Sequence, residues 1–528
     1  MRFRIPAICT ICLCLAANAA GQDWVPDYRF VWDNNTYINL NNPAAVSFWN
    51  GKLSVAELSF DKHNGGLRDI EEASDSWKII AGTESYCRIS DLIAFHGRLS
   101  WSDFQGQKMG GPVLMDPDYN PVGFYESDYS DLSQGLKTRE LYSLGGEIAV
   151  TPWERWSFGA GVSYQAGDQV KSKDPRFSNV WMDLVVNAGV TFKAADFLTL
   201  GLSGSWRNTM ENVKGHIYGT TDKQYFIYTD KGGFFGTMAE LAGDYNYVPE
   251  SSYRPMINDW YGGALQIVVA DNYSNEFSFM KRAGYYGKKS SSTATFFEFD
   301  GIKAGYEGLF IIPAGSGLHR IALSAGYETL SNNENLFKYD NPEGGNTVVN
   351  YTGQNHILDR STKRASIDWR WCGKVKSGYP GFVLGARGGW DSMSQSSIIY
   401  PFWRKHAISH AEAELYGSKS FFSGDNCFTV DASVSGLYGY GTKNQDGSYV
   451  QTTSTVLRSF DQYLNMHYEF ETAPRAGGTL GFTYTRQFGG KMAFRIRLSD
   501  SFTSLLAAPE YLEGANRNVI SISLGCTF

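Results

Sequence analysis

The sequence predicts an all-β protein, a transmembrane antiparallel β-barrel of about 16–18 strands, with 14 also open. Three observations predict it: an alternating terminal strand that stops on an aromatic residue, a leader of secretory type, and successive alternating segments of roughly ten residues. In the last eleven residues, Asn518 to Phe528, the side chains of Ile520, Ile522, Leu524, Cys526 and Phe528 share one face. Ser521, Ser523, Gly525 and Thr527 share the other. Successive strand side chains point to opposite faces, so one face suits lipid and the other a wet interior. An edge strand of a soluble sandwich would look similar, and the rest of the chain has to separate the two.

At the other end, Arg2 and Arg4 precede a mostly apolar run from Ile5 to Ala17, and Ala19, Ala20 and Gly21 lead to Gln22. This order predicts a cleaved secretory signal over residues 1–21. No cysteine there follows a lipoprotein pattern, so no lipid anchor is expected. Past the leader, Cys87, Cys372, Cys427 and Cys526 are scattered without metal-ligand spacing, and a disulfide framework is not expected.

Composition agrees. Mean hydropathy is negative, and no second run reaches the roughly 18 apolar residues of a membrane helix. The 33 Phe, 32 Tyr and 14 Trp suit the aromatic girdles of a barrel, and the 57 Gly suit its turns and crowded inner wall. Loss of Arg2 and Arg4 takes the formal charge from -7 to -9, a mild acidity that argues against a nucleic-acid partner. The expected partners are outer-membrane lipid, the barrel-assembly machinery, and a small solute or surface partner.

The repeated unit is the hairpin. In Trp156 to Gln165 the set Trp156, Phe158, Ala160, Val162 and Tyr164 opposes Ser157, Gly159, Gly161, Ser163 and Gln165. Leu184 to Lys193 and Leu198 to Arg207 repeat the pattern. Further hairpins fall at Trp260 to Met280, Ala294 to Leu330 and Lys363 to Trp390, with short turns such as Asp271-Asn272 on one side. Polar stretches at Gln105 to Lys137, Asn208 to Asp259, Ser331 to Thr362 and Gly441 to Ser454 are the expected extracellular loops. Forward and backward counts give opposite strand directions, which places one uncounted strand between Tyr438 and Tyr468.

Residues 22–78 are expected to form a periplasmic, plug or first-strand segment, and residues 79–528 the barrel. Within Asn34 to Phe60, proline fixes one backbone angle of Asn42-Pro43-Ala44 and asparagine can cap a turn. The triplet also resembles one in the long-chain fatty-acid transporter family, where that resemblance implies an internal plug or hatch. Lys405 to Gly417 puts His406, His410, Glu412 and Glu414 on one strand face, the lumen candidate, opposite Ala407, Ser409, Ala411, Ala413 and Leu415. Imidazole and carboxylate can bind a metal. Residues four apart in a strand are roughly 13 Å apart, however, so one ion would need donors from other strands. Whether a metal binds is left open.

Arg495 and Arg497 are further lumen candidates, suited to an anionic solute or to pairing with Asp431 or a wall glutamate. Other inward charges are Glu147, Arg207, Glu328, Asp368, Arg370, Arg387 and Asp391. No catalytic motif, phosphate loop or nucleic-acid motif is recognisable, so neither enzyme activity nor a cofactor is expected.

Gln22, Asn42-Pro43-Ala44, Phe470 to Arg475 and Ser523 to Phe528 together resemble an uncharacterised family of Bacteroidetes outer-membrane barrels. The resemblance implies fold and localisation and supplies no site residues. Two functions fit: a channel or diffusive transporter for a small solute, or a surface receptor or assembly component whose loops bind a protein or glycan. About 500 mature residues leave no room for a separate globular plug domain plus a 22-stranded barrel.

Phe528 is the expected handle for barrel assembly. Deleting it should lower the amount of protein inserted in the outer membrane, measured by fractionation, and unchanged levels would count against this role.

Overall fold

The computed structural model describes residues 24–528 except 116–119, 129, 131–132, 220–222, 242–246, 253, 289–292, 342–344 and 454–457. The leader expected over residues 1–21 lies outside the described residues.

An 18-stranded antiparallel sheet closes on itself as a barrel. Its wall opens with β1 (Lys52–Gly65), β2 (Asp75–Arg88) and β3 (Ile93–Met109), and β4 (Gly123–Glu126) stands apart from it. The wall resumes with β5 (Gly135–Trp153), β6 (Trp156–Lys171), β7 (Arg176–Ala195) and β8 (Leu198–His216). Next come β9 (Phe226–Asp230) and β10 (Gly236–Glu240), which join β4 in a separate three-stranded sheet. The remaining wall strands are β11 (Pro255–Val269), β12 (Tyr273–Gly287), β13 (Thr295–Ala314), β14 (Gly317–Asp340), β15 (Val348–Gly373), β16 (Phe382–Ile399), β17 (Phe402–Ser423), β18 (Asn426–Ser448), β19 (Arg475–Phe488), β20 (Met492–Leu505) and β21 (Asn516–Thr527).

β1 and β21 pair antiparallel with Leu58 opposite Leu524 and Phe60 opposite Ile522, which leaves the sheet no open edge. The backbone of Phe528 exchanges two hydrogen bonds with Ser54, of 2.7 and 2.9 Å. Ile520, Ile522 and Leu524 are exposed on the outer face, as are Leu480, Phe482, Ile496 and Leu498 of neighbouring strands. Such an apolar band on a closed barrel places the protein in the outer membrane.

Short turns at residues 154–155, 196–197 and 424–425 gather at one mouth, the periplasmic one by the rule for outer-membrane barrels. At the 270–271 turn Ala270 and Asp271 have φ of 52° and 56°, the twist-matched hairpin geometry that needs positive φ at both central residues. The longer connections 110–134, 217–254 and 449–474 lie at the other mouth.

Two expectations are corrected. Ser331 to Thr362 and Gly441 to Ser454 are largely strand: β14 runs to Asp340, β15 starts at Val348 and β18 runs to Ser448. Beyond the bilayer both strand faces can be wet, so polar composition there does not mark a loop. No extra strand lies between Tyr438 and Tyr468 among the described residues, and counts from both ends agree on direction. Helix Asp461–Thr472 follows instead, with Tyr463, Met466, His467 and Phe470 at helical spacing.

The interior is filled from both mouths. At the periplasmic end residues 24–49 carry α1 (Tyr28–Asp33) and a 3-10 helix, Pro43–Phe48. The Asp27 side chain caps α1, accepting from the Phe30 N–H at 2.8 Å. The wall begins at Lys52, so the second half of Asn34 to Phe60 is strand. At the outer end the β4–β9–β10 sheet and the helix Asp461–Thr472, here α2, form a cap. Phe124, Phe177, Val213, Met256, Tyr286, Phe297 and Leu358 belong to one buried cluster joining cap to wall. Tyr125, Phe234, Tyr463 and Leu464 belong to a second.

A buried ion pair, Lys171 to Glu126 at 2.7 Å, ties β6 to β4, and the Tyr463 hydroxyl donates to the Glu126 carbonyl at 2.6 Å. Removing one partner of a buried pair leaves an uncompensated charge. Glu126→Ala should therefore loosen the cap by about 3–5 kcal/mol. Hydrogen exchange should rise across residues 123–126 and 226–240 while the wall stays protected, and unchanged exchange in the cap would refute this.

Candidate functional site

Alternation along each strand aims one face of the wall into the lumen, and there the charges are paired. Arg497 holds Asp431 at 2.5 and 2.8 Å, and Arg495 reaches Glu57 at 3.2 Å. Arg207 meets Asp183 at 2.8 Å, Glu328 lies 3.8 Å from Arg282, and Asp391 is 3.0 Å from Arg364. His96 stands between Glu84 and Glu147, at 2.8 and 3.2 Å. Charges of both signs paired across strands make a polar wall without a single-sign field.

The four polar residues of Lys405 to Gly417 do not converge. Glu414 pairs with Arg387 at 3.4 Å, and the Glu412 carboxylate lies over Gly389. His410 turns to Glu471 at 3.1 Å, while His406 is fully buried with Nδ1 against the Lys443 carbonyl. The rise of a strand keeps these side chains apart, and their partners come separately from β16, β18 and α2.

The periplasmic seal is built from residues 24–49. The Asn42 side chain caps the 3-10 helix by accepting from the Ala44 N–H at 3.0 Å, and its amide donates to Gln266 at 3.0 Å and to the Val190 carbonyl at 3.1 Å. Proline at the first helical position supplies the needed φ without losing a bonded N–H. The wall receives this turn on glycine. A Cβ at Gly159 would lie 2.2 Å from the Ala44 nitrogen, and one at Gly189 would lie 2.0 Å from the Asn42 side-chain oxygen.

Around that anchor apolar and polar contacts alternate: Tyr28, Val46 and Trp49 are buried with Leu53, Tyr86 and Ala149 of the wall, Trp24 with Tyr379 and Cys427, and Tyr37 and Ala45 with Val268. The Asn41 backbone N–H and side-chain amide both donate to Glu276, at 2.7 and 2.5 Å. The Tyr37 hydroxyl donates to Asp271 at 2.5 Å. Arg29 grips Glu57 at 2.8 and 3.0 Å, and Asp33 accepts from Arg370 at 2.7 Å. Arg370 and Arg320 share Asp368, and Arg320 also donates to the Asp33 carbonyl at 2.9 Å.

At the outer end a cavity of about 70 Å³ lies where cap meets wall, lined among others by Asp69, Asp230, His406 and His467. Burial pushes the Asp230 carboxyl up to about 6 against the backbone N–H groups that it accepts from. Burial would also raise Glu471, but the hydrogen bond from His410 and the charges of His467, His410 and Arg475 outweigh it and hold the carboxyl below its usual value. Sequence reasoning missed Asp69, His467 and Glu471. The four-residue spacing of His467 and Glu471 is a one-face helical signal, which passed unread because an uncounted strand was expected between Tyr438 and Tyr468.

Among the known proteins, the model of a family of unknown function (DUF6850) matches residues 43–528. No protein of curated function matches the chain. Similar solved structures include BauA, the ferric preacinetobactin receptor of Acinetobacter baumannii, with a TM-score of 0.36, 7% identity, and coverage of 89% of this chain and 80% of that one. The outer membrane transporter YddB of Escherichia coli has a TM-score of 0.39 at 7% identity, covering 90% and 80%. A mutant of the ferric enterobactin receptor PfeA of Pseudomonas aeruginosa has 0.37 at 8%, covering 90% and 80%. At these scores nothing about ligand or mechanism carries over to this chain.

The glycine seat is testable. Gly159→Leu should expel the Pro43-Ala44 turn and speed proteolysis of residues 24–49 in the folded barrel, and wild-type resistance would show that the seat is not needed.

Proposed function

We propose, for a chain that belongs to the family of unknown function DUF6850, a diffusive outer-membrane transporter of a small polar solute, gated by the segment 24–49. The observation that carries this reading is the chemistry of the seal. The segment 24–49 contributes no strand to the wall: it is held by the Asn42 turn on wall glycines, by ion pairs and hydrogen bonds, and by small apolar clusters around Trp24, Tyr28, Tyr37 and Trp49. Because no strand pairing of the wall runs through the segment, such a seal can part without unfolding the wall. The mixed, paired charges of the lumen favour a polar solute of low net charge. The role is transport rather than catalysis.

One observation favours the receptor reading: the outer connections fold into a sheet and a helix with their own buried clusters, a formed surface that a partner protein or glycan could grip. Conductance separates the two. Because the wall starts at Lys52, deletion of residues 24–49 leaves all 18 strands in place. In planar bilayers and in liposome swelling with neutral sugars, the full chain should pass little and the deletion should pass at least an order of magnitude more. Equal conductance and uptake by both would overturn the gated transporter.

A further inference from the structure

We infer that the junction between the outer cap and the barrel wall is a binding site for one divalent transition-metal ion, built from Asp69, His467, Glu471 and His406. Donor atoms of Asp69, His467 and Glu471 all lie within 4.8 Å of one another. They come from two connections: Asp69 from the β1–β2 loop, and His467 and Glu471 from one face of α2. His467 Nδ1 is 2.8 Å from an Asp69 carboxylate oxygen, and Glu471 lies beside His410 at 3.1 Å.

The independent observation is His406. It is 1% exposed, it lines the same cavity as Asp69 and His467, and its Nε2 is buried without a hydrogen-bond partner. Its Nδ1 faces the Lys443 carbonyl, which can only accept, so Nδ1 carries the proton and Nε2 presents a lone pair. A neutral imidazole whose far N–H is tied to a backbone carbonyl is the arrangement that orients metal-ligating histidines. A buried lone pair with no donor is unfavourable, and an ion would relieve it.

Two imidazoles and two carboxylates suit zinc or a neighbouring first-row ion rather than magnesium or calcium. Bonds of about 2.0–2.2 Å place tetrahedral donors roughly 3.3 Å apart, so small side-chain rotations would gather Asp69, His467 and Glu471, with His406 joining from the cavity wall. An entering ion replaces the proton shared by His467 and Asp69, and His410 orients Glu471 from behind. Joined this way, the β1–β2 loop, α2 and β17 would be stapled together, closing the outer cap onto the wall. This assignment stands apart from the gated-transport reading, since it concerns the opposite mouth.

The test uses tag-free, full-length protein in detergent, stripped with a chelator and titrated with Zn2+. One ion should bind per chain, and Co2+ in its place should give the intense visible bands of a four-coordinate site. His406→Gln and His467→Gln should each weaken binding by about 10- to 100-fold and bleach the Co2+ bands. Glu412→Gln, on the same strand as His406 but over Gly389, should bind as the wild type does. Circular dichroism reports whether each variant is folded; if a histidine variant is not, Asp69→Asn is read in its place. Absence of stoichiometric binding in the wild type, or unchanged binding in the folded variants, overturns the site.

Discussion

Inside a bilayer no water is available to a backbone N–H or C=O, and an unmet group there costs several kcal/mol. Everything in this protein depends on meeting that constraint by pairing β1 with β21. The two strands lie at opposite ends of the sequence, so the wall is complete only when the chain's last residues arrive. Ser54 and Phe528 extend the ladder to the periplasmic rim. The same closure brings Glu57 of β1 against Arg495 of β20, and Arg517 of β21 against Glu72 of the first outer connection.

A closed ring of this size encloses more space than its own side chains fill. The chain fills the rest with itself, by different means at the two mouths. Below, a short segment is pinned by backbone against glycine, by ion pairs, and by apolar side chains such as Trp24, Tyr28 and Trp49 buried against the wall. Above, a small sheet and a helix bury aromatic side chains against the wall and add the Lys171–Glu126 pair. Both ends bury apolar area, but the upper filling has a sheet of its own, whereas the lower segment adds no strand.

Much of the wall was legible from local pattern. Ile520, Ile522 and Leu524 face outward in the structure as alternation demands, and Trp156 to Gln165 and Leu198 to Arg207 lie inside β6 and β8. Legibility failed where the bilayer stops imposing a pattern. The outer parts of β14, β15 and β18 have two wet faces and so look like loops. It failed again near α2, where the conflict between strand counts was met by expecting an extra strand between Tyr438 and Tyr468 and no helix was expected. At the lower mouth Asn42 was legible as a turn residue from its own chemistry. That Gly159 and Gly189 would seat it could not be seen, because the glycines lie more than a hundred residues away in a pattern that the lipid face alone explains.

By itself, then, the sequence determined the barrel and its lipid face, because two-residue alternation and turn chemistry are local consequences of strand geometry and of the solvent on each side. Only the tertiary structure decided the strand number, the filling of the lumen and the meeting of Asp69, His406, His467 and Glu471. Those depend on closure and on which connections fold inward. Both are contacts between segments hundreds of residues apart, and no local periodicity records them.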